Sequence, residues 1–287
     1  MFTRAYSICV DIYEKTQRFY QSAQTEKRVI GKSVFGRDLY AVKIGNGVPV
    51  AIAQYAIHGR EFITAELAFE QAKIGIDRGS VWLIPLLNPD GCLLSETGLS
   101  AVSNREARQC LLDINGGNSD FSLWKANGRG VDLNVNFDAD WGKGKKNVRK
   151  PAPENYIGVC PFSEPETTAL RNFTREIRPD YTVSYHTKGE EIYWYFYQSI
   201  GAIARDKCLA LELSRSTGYP LARAIGSAGG YKDWCIKKMG ITAFTVEVGS
   251  DELLHPIRQL QQTDILSRNR YALRDLSNAW AQSRFLF

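Results

Sequence analysis

Three histidines occur in the 287 residues of the chain, and one of them, His58, stands three residues before Glu61 in the segment AIHGREF. At this spacing, where an apolar run gives way to a helical pattern, both side chains can turn toward one point. Catalytic zinc takes three protein ligands and leaves a position for water, and two histidines with one glutamate are an accepted set. The H-x-x-E pair alone is weak, because an ordinary polar turn can carry the same residues. A second histidine, His186, closes the apolar run YTVSYH much as His58 follows AQYAI; a buried, hydrogen-bonded histidine is the alternative reading. Glu247, inside the apolar run FTVEVG, costs several kcal/mol there unless it is paired, protonated or placed at the mouth of a site. It is either half of a buried ion pair or a general base. His255, before Pro256 in a polar loop, reads as a surface residue.

The densest polar stretch, NGRGVDLNVNFD, offers three further candidates. Asp132 could accept the second ring N–H of a ligating histidine and so fix its tautomer. Asn134 could hydrogen-bond a substrate, and Arg129 could stabilise an oxyanion.

These residues need elements to hold them. The spacing predicts an amphipathic helix over about 9–23, a strand and turn through RVIGKSVFGRDLYAVKIG with Gly36-Arg37-Asp38 at the turn, and a buried strand at VPVAIAQYA. A helix follows at EFITAELAFEQAKIGI, then a buried strand ending in a turn at SVWLIPLLNPDG. From about 92 to 165 the pattern turns irregular, and a long loop of that kind inside a compact chain is more often functional than idle. Helices are expected near 164–177 and 200–217, at GYKDWCIKKM and at QTDILSRNRYALRDLSNAWAQ, with strands at PDYTVSYHT, EIYWYF and ITAFTVEVG. Apolar strands alternating with helices imply an α/β sheet covered on both faces, with function at the strands' carboxyl ends.

No repeat or composition break marks a linker, so residues 1–287 read as one domain. The hydrophobic content of 44% can fill its core. The net charge of +5 and the absence of basic residues interleaved with aromatics argue against a nucleic-acid partner. The one basic cluster, WGKGKKNVRK at 141–150, reads as a solvated loop, with steering of an anionic substrate as the alternative. The first twenty residues carry no uninterrupted apolar core, and no apolar run reaches the roughly 20 residues of a membrane span. The expectation is a cytoplasmic protein without a membrane span. Six cysteines show no C-x-x-C pair, which predicts reduced, mostly buried thiols.

Taken in order, His58-Gly-Arg60-Glu61, Asn88-Pro-Asp-Gly91, Gly130-Val-Asp132-Leu-Asn134, His186 and Glu247 resemble the carboxypeptidase A-type zinc peptidase family, from GKSVFGRDLY to near 250. The resemblance implies one bound Zn2+ held by His58, Glu61 and His186, with Glu247 as general base. It implies Asp132 behind His58, and Asn134 and Arg60 as substrate contacts. It also implies a single α/β/α domain around a mixed, mostly parallel sheet of about eight strands. Arg129 is the choice for the oxyanion cation, with Lys125, Arg105 and Arg108 as alternatives.

Two departures shape the substrate expectation. Where carboxypeptidases of the family read Asn-Arg, this chain reads Asn134-Val135, and the missing arginine is the one that grips a terminal carboxylate. In IGSAGGYKDW, Ile225 takes the place of a tyrosine that caps substrate, and Lys232 falls where the base of the pocket for the released side chain would be. Together LWKANGRGVDLN, SYHTKGEEIYW and GGYKDW are similar to bacterial γ-D-glutamyl-meso-diaminopimelate peptidases within the family. The implied activity is hydrolysis of that bond in murein peptides by metal-activated water, in recycled or imported wall peptide. Lys232 would meet the far carboxylate of diaminopimelate, with Glu190 or Glu191 near its amine. The alternatives are a carboxypeptidase on α-linked peptides with acidic C-terminal residues and an inactive wall-peptide-binding protein.

Overall fold

The computed structural model describes residues 10–224, 226–258 and 262–283. In chain order the elements are α1 (Ile12–Ser22), β1 (Lys27–Lys32), β2 (Asp38–Asn46), β3 (Val50–Tyr55), α2 (Ile63–Ile74), β4 (Gly79–Ile84), α3 (Pro89–Thr97), α4 (Arg105–Ile114), α5 (Pro165–Ile177), β5 (Tyr181–His186), β6 (Glu191–Tyr193), α6 (Ile200–Thr217), β7 (Leu221–Ala222), α7 (Tyr231–Met239), β8 (Thr242–Glu247), α8 (Gln262–Asn269) and α9 (Ala272–Ser283). The strands form one eight-stranded mixed sheet in the order β1-β2-β4-β3-β5-β8-β6-β7. Its centre, β4-β3-β5-β8, is parallel, while β1, β2 and β6 join antiparallel.

The central strands alternate between two cores, as a period of two requires. Ala51, Ala53 and Tyr55 of β3, Val81 and Leu83 of β4, and Tyr181, Val183 and Tyr185 of β5 pack with Leu209, Leu213 and Leu276 from α6 and α9. Ile52, Trp82, Ile84 and Ala243 face the other way, against Leu170, Phe173 and Trp234 from α5 and α7. Burial on both faces explains why these strands read as continuous apolar runs. Tyr55 and Tyr185 stack at 4.9 Å on adjacent strands, and Gln71 of α2 hydrogen-bonds both phenols.

Several sequence expectations change here. The stretch after residue 91 is not irregular at its start, since it contains α3 and α4. Asn88 caps α3 by accepting from the Gly91 amide at 2.9 Å, with Pro89 opening the helix, and Asn104 caps α4 through Ala107 at 2.8 Å. Those capping residues were the available signal. The C-terminal helix is two, α8 and α9, divided near Arg270. Cys92 and Cys235 are buried and free, but Cys110, Cys160 and Cys208 are free and exposed, and Cys9 lies outside the described residues.

A buried acidic cluster ties the β1–β2 turn to α3 and α5. Asp90 accepts from the Ser33 hydroxyl (2.9 Å), the Phe35 amide (2.8 Å) and the Arg37 guanidinium (2.6 Å). Glu166 accepts from the Val34 amide (3.1 Å) and Asn127 (3.2 Å), and Asn127 also donates to Glu164 (2.8 Å). Burial, with Asp90 adding repulsion, pushes the Glu166 carboxyl up to about 8 from 4.5. Between those values the folded chain holds a proton that the unfolded chain releases, so stability falls as pH rises through this window. Replacing Glu166 by Gln removes that slope. In urea unfolding from pH 5 to 8, wild-type stability is expected to fall relative to Glu166→Gln by up to about 1.4 kcal/mol per pH unit, the ceiling for one proton. Parallel pH profiles for the two proteins would show the carboxyl to be ionised throughout.

Candidate active site

The parallel strands deliver the candidate residues to one edge. His186 is the last residue of β5 and pairs in register with Glu247, the last of β8. His58 follows β3 after a bend at Ala56, whose φ of +50° is uncommon for a residue with a Cβ. Thr64 accepts from the Ala56 amide at 2.8 Å and the Asn88 amide donates to the Ala56 carbonyl at 3.1 Å, which holds the bend. The next residue after His58 must be glycine: a Cβ at Gly59 would come 2.5 Å from the Gly91 carbonyl oxygen and 2.6 Å from that of Trp124. The segment after β3, the first turn of α3 and the stretch at Trp124 therefore pack directly on one another beside His58.

His58 Nδ1 lies 2.9 Å from Glu61 Oε1, His186 Nδ1 lies 3.1 Å from Glu61 Oε2, and the two Nδ1 atoms are 3.2 Å apart. All three residues are buried, and together they are a group able to hold a metal ion. Zinc bonds of about 2.0–2.1 Å would place tetrahedral ligands roughly 3.3 Å apart, close to these separations. The donor set, two imidazoles and one carboxylate, is also one that zinc accepts. The Thr187 amide steadies Glu61 at 3.3 Å.

Behind His58, Asp132 Oδ1 lies 3.2 Å from Nε2, and Asp132 Oδ2 pairs with Lys125 at 2.9 Å. Asp132 also accepts from the amides of Asn134 (3.1 Å) and Asn155 (3.2 Å). Burial alone would raise the Asp132 carboxyl, but Lys125 and His58 hold it well below the usual range. Burial likewise opposes charge on His58, yet Glu61 and Asp132 outweigh it and raise the imidazole pKa. At Glu247 burial dominates: the attraction of His186, larger than the repulsion from Glu61, does not offset it, and the carboxyl is pushed up to about 7.

An open cleft of about 480 Å³ adjoins this group, lined by Arg60, Lys125, Asp132, Asn134, Val135 and Glu247 among others. Asn134 accepts from the Tyr231 amide at 3.2 Å, at the start of α7. Lys232 lines the cleft in a buried ion pair with Asp233 at 2.6 Å. The carboxylate beside Lys232 is thus its own neighbour; Glu190 instead pairs with Arg268 at 2.7 Å, and neither Glu190 nor Glu191 lines the cleft.

Arg129 needs correction. Its side chain is 57% exposed, lies 3.7 Å from Glu164 and does not line the cleft. The turn closed by the Asn127 side chain, which accepts from the amides of Arg129 and Val131, leaves it beside Glu164 instead of in the cleft. Lys125, four residues earlier, lines the cleft instead. His255 is half-buried, with burial pulling its pKa down to about 4. Ile225 lies outside the described residues. The loop at 144–147, part of the basic cluster for which steering of an anionic substrate is the alternative reading, also lines the cleft, as do Glu154 and Asn155, which no local sequence signal marked.

The model of the zinc carboxypeptidase family matches residues 12–269. The chain belongs to that family. One relative, γ-D-glutamyl-L-diamino acid endopeptidase 1 of Lysinibacillus sphaericus, is 32% identical over 273 residues, covering 88% of this chain and 67% of that protein. Carboxypeptidase B of Rattus norvegicus is 28% identical over 82% of this chain and 61% of its own length. Among solved structures, bovine thrombin-activatable fibrinolysis inhibitor superposes with a TM-score of 0.74 at 20% identity, covering 94% of this chain and 95% of that chain. Murein-tripeptide amidase MpaA of Escherichia coli O157 gives 0.58 at 22% identity, covering 90% of this chain and 94% of that one. At such identities the superpositions speak for the fold: a mixed eight-stranded sheet with helices on both faces. As a family member the chain is a zinc metallopeptidase. No helix of the described residues is long and apolar enough to cross a membrane.

Proposed function

We propose that this zinc peptidase hydrolyses the γ-D-glutamyl–meso-diaminopimelate bond of murein peptides, with His58, Glu61 and His186 holding the metal. Zinc bound there supplies Lewis acidity, polarising a carbonyl and making nearby water more acidic. Glu247, facing the cleft beside His186, takes a proton from the attacking water and returns it to the departing amine. Lys125 replaces Arg129 as the cation for the charge that develops on the scissile carbonyl oxygen, with Arg60 beside it on the cleft wall. Asp132 bridges Lys125 and His58 and orients both. Asn134, anchored to the start of α7, presents the rest of its amide to substrate.

The observation that carries the substrate reading is the buried Lys232–Asp233 pair in the cleft wall. Diaminopimelate ends its side chain in an ammonium and a carboxylate, and an adjacent anion and cation can meet both. An acidic side chain would satisfy Lys232 but leave Asp233 facing a like charge. The relative from Lysinibacillus sphaericus, named for γ-D-glutamyl-diamino acid bonds, supports the same reading. Incubation of the zinc-loaded protein with L-Ala-γ-D-Glu-meso-diaminopimelate, followed by mass spectrometry, is expected to show free diaminopimelate. Release of C-terminal Glu or Lys from α-linked peptides, with the γ-linked peptide left intact, would sink this reading.

A further inference from the structure

The cleft contains more positive charge than its own acids neutralise. Arg60 pairs with Glu154 at 3.4 Å, Lys125 with Asp132 at 2.9 Å and Lys232 with Asp233 at 2.6 Å. Lys145 and Lys146 also line the cleft, and among the described residues neither is in an ion pair. Nor is this pair of lysines on a loose tail. The Lys145 amide donates to the Gly226 carbonyl at 2.9 Å, the Val148 amide to Asn155 at 2.9 Å, and the Trp141 indole to Ile157 at 2.9 Å. The stem of Lys145 lies over Gly226, where an added Cβ would come 2.7 Å from Lys145 Cδ.

The same stretch, Gly226 to Gly230, borders Val135 and opens α7. A Cβ at Gly229 would come 3.0 Å from the Val135 carbonyl oxygen, and Val135 itself brings no charge to the cleft. The spare cations therefore line the same cleft as Val135 and Lys232, with Lys145 against the stretch that borders Val135, on the side assigned above to the released residue. We infer that Lys145 and Lys146 form a carboxylate clamp for the α-carboxylate of the residue released by hydrolysis. This rests on the placing of the released residue beside Lys232. The clamp makes the enzyme prefer a free C-terminal residue, as a carboxypeptidase does, over one extended or amidated at that carboxylate.

The test compares L-Ala-γ-D-Glu-meso-diaminopimelate with the same peptide carrying a C-terminal amide in place of that α-carboxylate, and a matching acid and amide pair of α-linked peptides. Each is assayed with wild type, Lys145→Ala/Lys146→Ala and Lys145→Arg/Lys146→Arg. For wild type, kcat/KM is expected to favour the acid about tenfold or more, since charge-assisted hydrogen bonds are the strong ones. The alanine variant should lose most of that preference through KM, while the arginine variant keeps it. A wild-type ratio near one, or a ratio unchanged by the alanine pair, overturns the clamp. Cleavage of the α-linked pair alone overturns the γ-linkage reading, and the clamp is then scored on that pair by the same ratio. Failure to cleave any of the four overturns both.

Discussion

Glu247→Gln is expected to lower kcat on any peptide substrate by about 10²–10⁴-fold, the usual contribution of a positioned general base. Gln fills the same space at the end of β8 and keeps the register that pairs this position with His186, but its amide cannot take a proton from water. Zinc content should be unchanged. The base is poised by its surroundings: burial and Glu61 push its carboxyl up to about 7, and a bound cation nearby draws it back toward the ionised form needed to accept a proton. Paired measurement of zinc stoichiometry by atomic spectroscopy and of turnover by mass spectrometry checks this. A Gln variant that kept more than about a tenth of wild-type turnover would remove Glu247 from the proton transfer.

The second large effect is on the metal. His186→Ala is expected to weaken zinc affinity on the order of a hundred- to a thousandfold, since each ligand of a multidentate site carries a share of a total binding energy of about 10–16 kcal/mol in well-studied structural sites. Activity should vanish with the metal at ordinary zinc concentrations. Asp132→Asn should cost less, about 10–100-fold in affinity, because Asp132 acts through His58. Competition with a chromophoric chelator gives both affinities. The order matters as much as the size: if Asp132→Asn lost zinc as completely as His186→Ala, Asp132 would belong among the ligands. Wild-type affinity in His186→Ala would remove that histidine from the set.

That His58, Glu61, His186 and Glu247 come together was largely legible, because they sit at positions that short-range patterns define. His58 and Glu61 are separated by less than one helical turn, so no long-range information is needed to bring them together. His186 and Glu247 each end a run of β-forming apolar residues, and parallel neighbours in a sheet place their carboxyl ends side by side. The cation proposed for the oxyanion was not legible. Lys125 and Arg129 lie four residues apart, and the turn held by Asn127 separates them, so that Lys125 lines the cleft beside Asp132 and Arg129 lies near Glu164. Helices α3 and α4 escaped because their neighbourhood is rich in Gly, Asn and Ser, although Asn88-Pro89 and Asn104 are capping residues in plain view.

What the sequence by itself determined is the alternation of buried strands and helices, the H-x-x-E pair and the charged ends of two apolar strands. These follow from backbone periodicity and from the cost of placing polar groups in apolar runs, both local properties. What only the tertiary structure decided is which charges are spent on one another. Lys232 has Asp233, Lys125 has Asp132 and Arg60 has Glu154, whereas Lys145 and Lys146, in a cluster that reads as solvated loop, are left facing the cleft. Ion pairing depends on a few ångströms of separation between side chains that can be a hundred residues apart, and only the folded chain sets those distances.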